Sequence, residues 1–76
     1  MAKRMTWTVE PRPDGRWAVQ RDGSRRATSV HDGKDAAVER GAELGRRHNG
    51  QLRIKGADGR IQDERTYGWD TVPPRA

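Results

Sequence analysis

No run of apolar residues in this chain exceeds three, the length of Trp17-Ala18-Val19. A chain so built offers no membrane-spanning segment and no apolar core of a signal peptide. Nor does it offer the continuous Val/Ile/Leu runs of a sheet buried on both faces. Its apolar residues must instead be collected one face at a time from alternating strands and an amphipathic helix. Only 30% of the 76 residues are hydrophobic and 36% are charged, and the mean hydropathy is −1.22. Disorder is therefore the first alternative to weigh. Two features oppose it. The apolar residues are periodic, and the glycines and prolines fall between the periodic segments, where turns need them. Three tryptophans and one tyrosine supply much of the buriable area. The length permits one domain, expected over residues 1–70, with 71–76 as a proline-containing tail. So small a core is marginal, and a homodimer is a natural further source of stability. The expected location is the cytoplasm.

The pattern reads β-β-β-α-β-β. Met5, Trp7 and Val9 alternate with Thr6, Thr8 and Glu10, which is a half-buried strand. Pro11-Arg12-Pro13-Asp14-Gly15 is a turn, and Arg16–Gln20 is a second strand that carries Trp17 and Val19. Pairing these as a hairpin puts Trp7 and Trp17 on one face, beside or diagonal to each other. Asp22-Gly23 is the next turn, and 26–30 a short third strand. Asp32 is the expected N-cap of a helix that runs to about His48, and Asn49-Gly50 ends it. Gln51–Lys55 and 60–65 form a second hairpin around Gly56-Ala57-Asp58-Gly59. The fold class that follows is two-layer α+β: an antiparallel sheet with one helix packed on one face.

Ala37, Val38, Gly41, Leu44, Gly45 and His48 share the helix's inner stripe by their spacing. Two glycines four residues apart cost helix propensity, so they imply a groove that admits something bulky. Trp7 and Trp17 are the expected occupants, with a second subunit as the alternative. The expected core is Trp7, Trp17, Leu44, Leu52, Ile54, Ile61, Tyr67 and Trp69.

Trp7-Thr8-Val9-Glu10-Pro11, Gly15-Arg16-Trp17-Ala18-Val19, Lys34-Asp35-Ala36-Ala37, Asp58-Gly59-Arg60-Ile61 and Thr66-Tyr67-Gly68-Trp69-Asp70 occur in that order. In this the chain resembles the small bacterial family known as domain of unknown function 2188, over roughly residues 6 to 74. Gly33, where the family pattern has threonine, and Gly45, where alanine is common, depart from it. The resemblance implies a fold and a bacterial or phage origin. It implies no activity and no catalytic residues.

Chemistry-bearing constellations are sparse. The chain has no cysteine, which removes disulfides, thiolate zinc sites and cysteine nucleophiles. His31 and His48 lack metal-ligand spacing. His31 reads as a surface residue and His48 as a partly buried one. Ser29 and His31 point to one face of a strand, and Asp32 or Asp35 could formally complete a trio, an arrangement that polar chains produce by accident. Asp63 and Glu64 are adjacent and so point to opposite faces. The expectation is a non-catalytic protein with no cofactor and no metal.

Charge is the remaining signal. Sixteen basic residues against eleven acidic ones give +5, and nucleic acid becomes the first binding hypothesis. The excess is densest at Arg21-Asp22-Gly23-Ser24-Arg25-Arg26. The sheet face away from the helix, expected to carry Thr6, Thr8, Arg16, Gln20, Arg53, Lys55 and Gln62, is a second candidate. Arg16, Arg21, Arg25, Arg26, Arg53 and Lys55 are the expected phosphate contacts on double-stranded DNA. The competing expectation is a protein-interaction or self-assembling module, through an exposed sheet edge or the helix groove.

Overall fold

The alternation in the sequence becomes five strands and one helix in a computed structural model that describes residues 5–67. They are β1 (Thr6–Pro11), β2 (Trp17–Arg21), β3 (Ser29–His31), α1 (Lys34–His48), β4 (Gln51–Lys55) and β5 (Ile61–Thr66). The order is the expected one, and the fold is two-layer α+β. The sheet is mixed rather than purely antiparallel. Its strand order is β3-β2-β1-β4-β5, and β1 pairs with β4 in parallel, with Trp7 opposite Leu52 and Val9 opposite Ile54. The cause is the helix. It carries the chain back along the sheet, so the strand that follows enters beside Met5 and runs in the direction of β1. Gln51 N–H donates to the Met5 carbonyl at 2.8 Å and starts this ladder.

The other pairs are antiparallel. In the first hairpin Trp7 lies opposite Arg21 and Trp17 opposite Pro11. The two tryptophans do share the helix-facing side, but they stand at opposite ends of the hairpin and are not neighbours. Each meets one end of α1. The Trp7 and His48 rings are 5.3 Å apart and tilted by 32°, and Lys34 Nζ lies 5.3 Å from the Trp17 ring centre. His48 is thus stacked on Trp7 while remaining exposed rather than partly buried.

Two turns with the sequence Asp-Gly-Arg close the far end of the sheet in the same way. Asp14 Oδ1 accepts the Arg16 N–H and Asp58 Oδ1 the Arg60 N–H, both at 3.0 Å. Gly15 and Gly59 take φ of 90° and 85°, a region costly for side-chain-bearing residues. The helix begins differently from expectation. Its N-cap is Gly33, with no side-chain hydrogen bond, and not Asp32. Asn49 ends it in the left-handed region at φ 52°. The Gly50 N–H returns to the Gly45 carbonyl at 2.8 Å, which satisfies a carbonyl at the helix terminus.

The core is Trp7, Val9, Val19, Ala37, Ala42, Leu44, Leu52 and Ile54, with Met5, Trp17, Val38 and Tyr67 against its edge. The helix groove holds neither tryptophan. At Gly41 a Cβ would stand 2.7 Å from Leu52 Cδ1 and 3.3 Å from Val9 Cγ2, and at Gly45 it would stand 2.5 Å from Tyr67 Cδ2. The two glycines thus admit Leu52 and Tyr67. Ile61 is 48% exposed rather than core. A bulge between Ile54 and Lys55 sets Ile61 opposite Lys55, on the face away from the helix. The same bulge turns Gln62 to the helix side, where its Oε1 accepts from Lys34 Nζ at 2.8 Å. Ala18 is buried on the open face at 1% exposure, a burial the alternating pattern does not suggest. Trp69 and the 71–76 tail lie outside the described residues.

The glycine notch makes a prediction. In an exposed helix Gly→Ala gains about 1 kcal/mol. At Gly41 the new methyl meets the Leu52 side chain, which is fully buried against its neighbours. Gly41→Ala is therefore expected to lose about 1–2 kcal/mol, read by urea unfolding. Gly33→Ser supplies the missing N-cap acceptor and is expected to gain a few tenths of a kcal/mol in the same assay. A net gain from Gly41→Ala would refute the notch.

Candidate nucleic-acid interface

The six basic residues singled out from the sequence fall in three places. Arg16 sits in the first hairpin turn at the far end of the sheet, where its Nε is 3.7 Å from Asp14 Oδ2. Arg53 and Lys55 lie on the open face, together with Thr8 and Gln20 in one shallow concavity. Both are already occupied. Lys55 Nζ is 3.3 Å from Glu10 Oε1, an ion pair that crosses from β4 to β1. Arg53 Nε is 3.8 Å from Glu64 Oε2, an ionic approach too long for a hydrogen bond, and that Nε is buried without a hydrogen-bond partner. The open face is therefore close to charge-balanced.

Arg21, Arg25 and Arg26 occupy the third place, the turn between β2 and β3. All three are exposed, and none has an ion-pair partner among the described residues. The turn itself is well tied. Gly23 adopts φ 86°, and the Ser24 N–H donates to the Arg21 carbonyl at 3.0 Å. Gln20 Nε2 donates to the Ser24 carbonyl at 2.6 Å. Ser24 Oγ donates to the Arg26 carbonyl at 3.1 Å and lies 3.3 Å from the Arg26 N–H. Arg25 and Arg26 are thus displayed from an ordered loop.

The fold adds two further arginines to this end, from the last turn of α1. Asp22 N–H donates to the Thr6 carbonyl at 2.9 Å, so the turn lies beside the start of β1. The last turn of α1, with Arg46 and Arg47, lies over that same start through the Trp7–His48 stack. Arg46 faces the Tyr67 ring at 5.9 Å. One end of the strands therefore carries Arg21, Arg25, Arg26, Arg46 and Arg47, with Asp22 in the turn and Glu43 paired to Arg47 on the helix. At the opposite end Arg12, Arg16, Lys34, Lys55 and Arg60 are matched by Glu10, Asp14, Asp32, Asp35 and Asp58. The positive excess of the described residues is segregated to one end. No local sequence signal exposes it, because it depends on where the helix finishes relative to β1.

Catalytic and metal candidates are few. Ser29 Oγ and His31 Nε2 are 2.8 Å apart, on the one face expected of them. No carboxylate bonds the His31 ring among the described residues, so nothing orients it as a base. No group of three or more His, Asp or Glu side chains gathers as metal ligands would among the described residues. No helix among the described residues is long and apolar enough to cross a membrane.

Residues 7–67 match a bacterial family described as uncharacterized proteins conserved in bacteria (DUF2188). The chain belongs to this family. No curated protein and no solved structure matches it significantly. The family match carries no function.

The helix's outer face offers an electrostatic test. Glu43 accepts from Arg40 Nη1 at 2.8 Å and pairs with Arg47 Nη2 at 3.4 Å. The hydrogen bond from Arg40, and then its charge, hold the Glu43 carboxyl below its ordinary value. A lowered folded value means that the pair's contribution is fully present above the ordinary carboxylate range. It is lost as pH falls through the lowered value. An NMR titration of Glu43 is expected to give a midpoint below that of an unpaired glutamate, and Arg40→Ala is expected to raise it.

Proposed function

We propose that this domain is a small non-catalytic protein that binds the phosphate backbone of double-stranded DNA through its basic end. The observation that carries the reading is the segregation of unpaired arginines. Arg21, Arg25 and Arg26 stand exposed on an ordered turn with Asp22 beside them, and the last turn of α1 brings Arg46 and Arg47, the latter paired with Glu43, to the same end of the strands. A duplex carries one charge per about 1.7 Å of axis. A cluster of exposed guanidinium groups suits such a target, since each can bridge two phosphate oxygens. Arg53 and Lys55 serve as secondary contacts, because a phosphate would have to displace Glu64 and Glu10. Arg16 is remote from the cluster and contributes least. The contacts reach backbone rather than base edges, so binding is largely independent of sequence. The location that fits this partner is the bacterial cytoplasm.

The experiment is duplex binding at several salt concentrations. Binding is expected to weaken steeply as salt rises, with a slope of about −0.9 per phosphate neutralised. Replacing Arg21, Arg25 and Arg26 by alanine is expected to reduce that slope by about 3 and to weaken binding alike on unrelated sequences. Arg16→Ala is expected to change little. Absence of binding at low salt would overturn the reading.

A further inference from the structure

The sheet ends in two unlike edges. β3 is three residues long and carries no carboxylate, lysine or arginine. β5 is twice that length, and every one of its six residues is exposed. It is bare because α1 packs across β1 to β4 and leaves the helix-side face of β5, with Asp63 and Arg65, beside an open groove floored by Val38 and Ile54.

Backbone direction along β5 follows from two hydrogen bonds. Tyr67 N–H donates inward to the Gly50 carbonyl at 2.8 Å, and Gln51 N–H donates the other way, to Met5. Alternate residues of a strand direct their backbone groups to opposite sides, so Arg65 points its groups toward β4 while Glu64 and Thr66 point theirs away from the sheet. The Glu64 N–H is occupied from within its own strand. Asp63 Oδ1 accepts it at 2.9 Å, and Asp63 Oδ2 accepts from Arg65 Nε at 3.3 Å. An exposed edge donor is thus held by a side chain that can be exchanged.

We propose that β5 pairs with the β5 strand of a second copy, antiparallel and centred on Glu64, to join two five-stranded sheets into one. This register obeys the backbone directions. Glu64 exchanges both of its outward backbone hydrogen bonds with its own counterpart. It also sets Asp63 opposite the second copy's Arg65 and Arg65 opposite the second copy's Asp63, as a close cross-strand pair on the helix side. The intrastrand Asp63–Arg65 contact is thereby traded for two contacts between copies, and Asp63 releases the Glu64 N–H as that group gains a carbonyl. The opposed Glu64 side chains fall on the open face, where each has Arg53 at 3.8 Å. A strand of some other protein would supply the backbone bonds but not this reciprocal charge pattern, which only a two-fold arrangement of this chain completes. Arg21, Arg25 and Arg26 lie at the opposite side of the sheet from β5, so loss of DNA binding in their alanine variants and loss of the dimer in the Asp63 and Arg65 variants are read independently.

The test is sedimentation of the full chain and its charge-reversal variants. The wild-type chain is expected to dimerise with rising concentration. Asp63→Arg and Arg65→Asp each place like charges opposite one another and are expected to sediment as monomers with an unchanged circular dichroism spectrum. An equimolar mixture of the two is expected to form a heterodimer, and the double reversal to restore the homodimer. That rescue cannot come from unfolded chains. A wild-type chain that stays monomeric throughout, a dimer indifferent to both single reversals, or a mixture that fails to associate would overturn the proposal.

Discussion

The approach of Leu52 to Gly41 is the contact on which the rest of the domain depends. With so few large apolar residues, α1 must lie close enough to the sheet for Leu52, Val9 and Ile54 to leave water entirely. A Cβ at position 41 would hold the helix away. The cost of Gly41 inside a helix, about 1 kcal/mol, is offset by full burial of Leu52 and Val9, about 1.5–3 kcal/mol apiece. Once α1 is seated there, its end must fall over Trp7, and β4 must start beside Met5 and run parallel to β1.

That sequence of consequences explains what could be read from the residues and what could not. Period-two alternation at Trp7 and Val9, and again at Leu52 and Ile54, marks strands because each buries one face only. Asp14-Gly15 and Asp58-Gly59 mark turns because the chemistry is local. Asn49-Gly50 marks the helix end for the same reason. Relative strand direction is not local. Nothing within Gln51–Lys55 states that β1 is its neighbour, and an antiparallel arrangement satisfies the same alternation. Ile61 shows the other kind of limit. An extra residue against Ile54 reverses the face of everything before it, and Ile61 turns outward while Gln62 turns in. The groove occupants were hidden likewise. The pair of glycines shows that space is needed, but only the register of β4 and the return of β5 decide that Leu52 and Tyr67 fill it.

The candidate interface was legible in part. Arg21, Arg25 and Arg26 are dense in sequence and remain together because a turn keeps neighbours together. Arg53 and Lys55 are placed correctly on the open face by alternation. Their neutralisation by Glu64 and Glu10 depends on which strands lie beside β4, which alternation does not encode. Arg46 and Arg47 join the cluster only because the helix returns to the start of β1.

The fold has its own uses for part of this charge, and separating those uses narrows the functional residue. Arg46 and Arg47 sit where the carbonyls of α1 give the helix its negative end, and cations there are favourable without any ligand. Arg47 also reaches Glu43, and Arg46 lies over Tyr67. Arg53 and Lys55 tie neighbouring strands across the open face. Arg16 belongs to its own turn through Asp14. No such role attaches to Arg25 and Arg26. Their backbones are fixed by Ser24, whose hydroxyl and carbonyl are both engaged, so the loop needs a serine and a glutamine but not two arginines. Three exposed guanidinium groups within six residues repel one another. Under the proposed reading, side chains that the fold does not employ, held in an ordered loop, are the ones left to meet the phosphates.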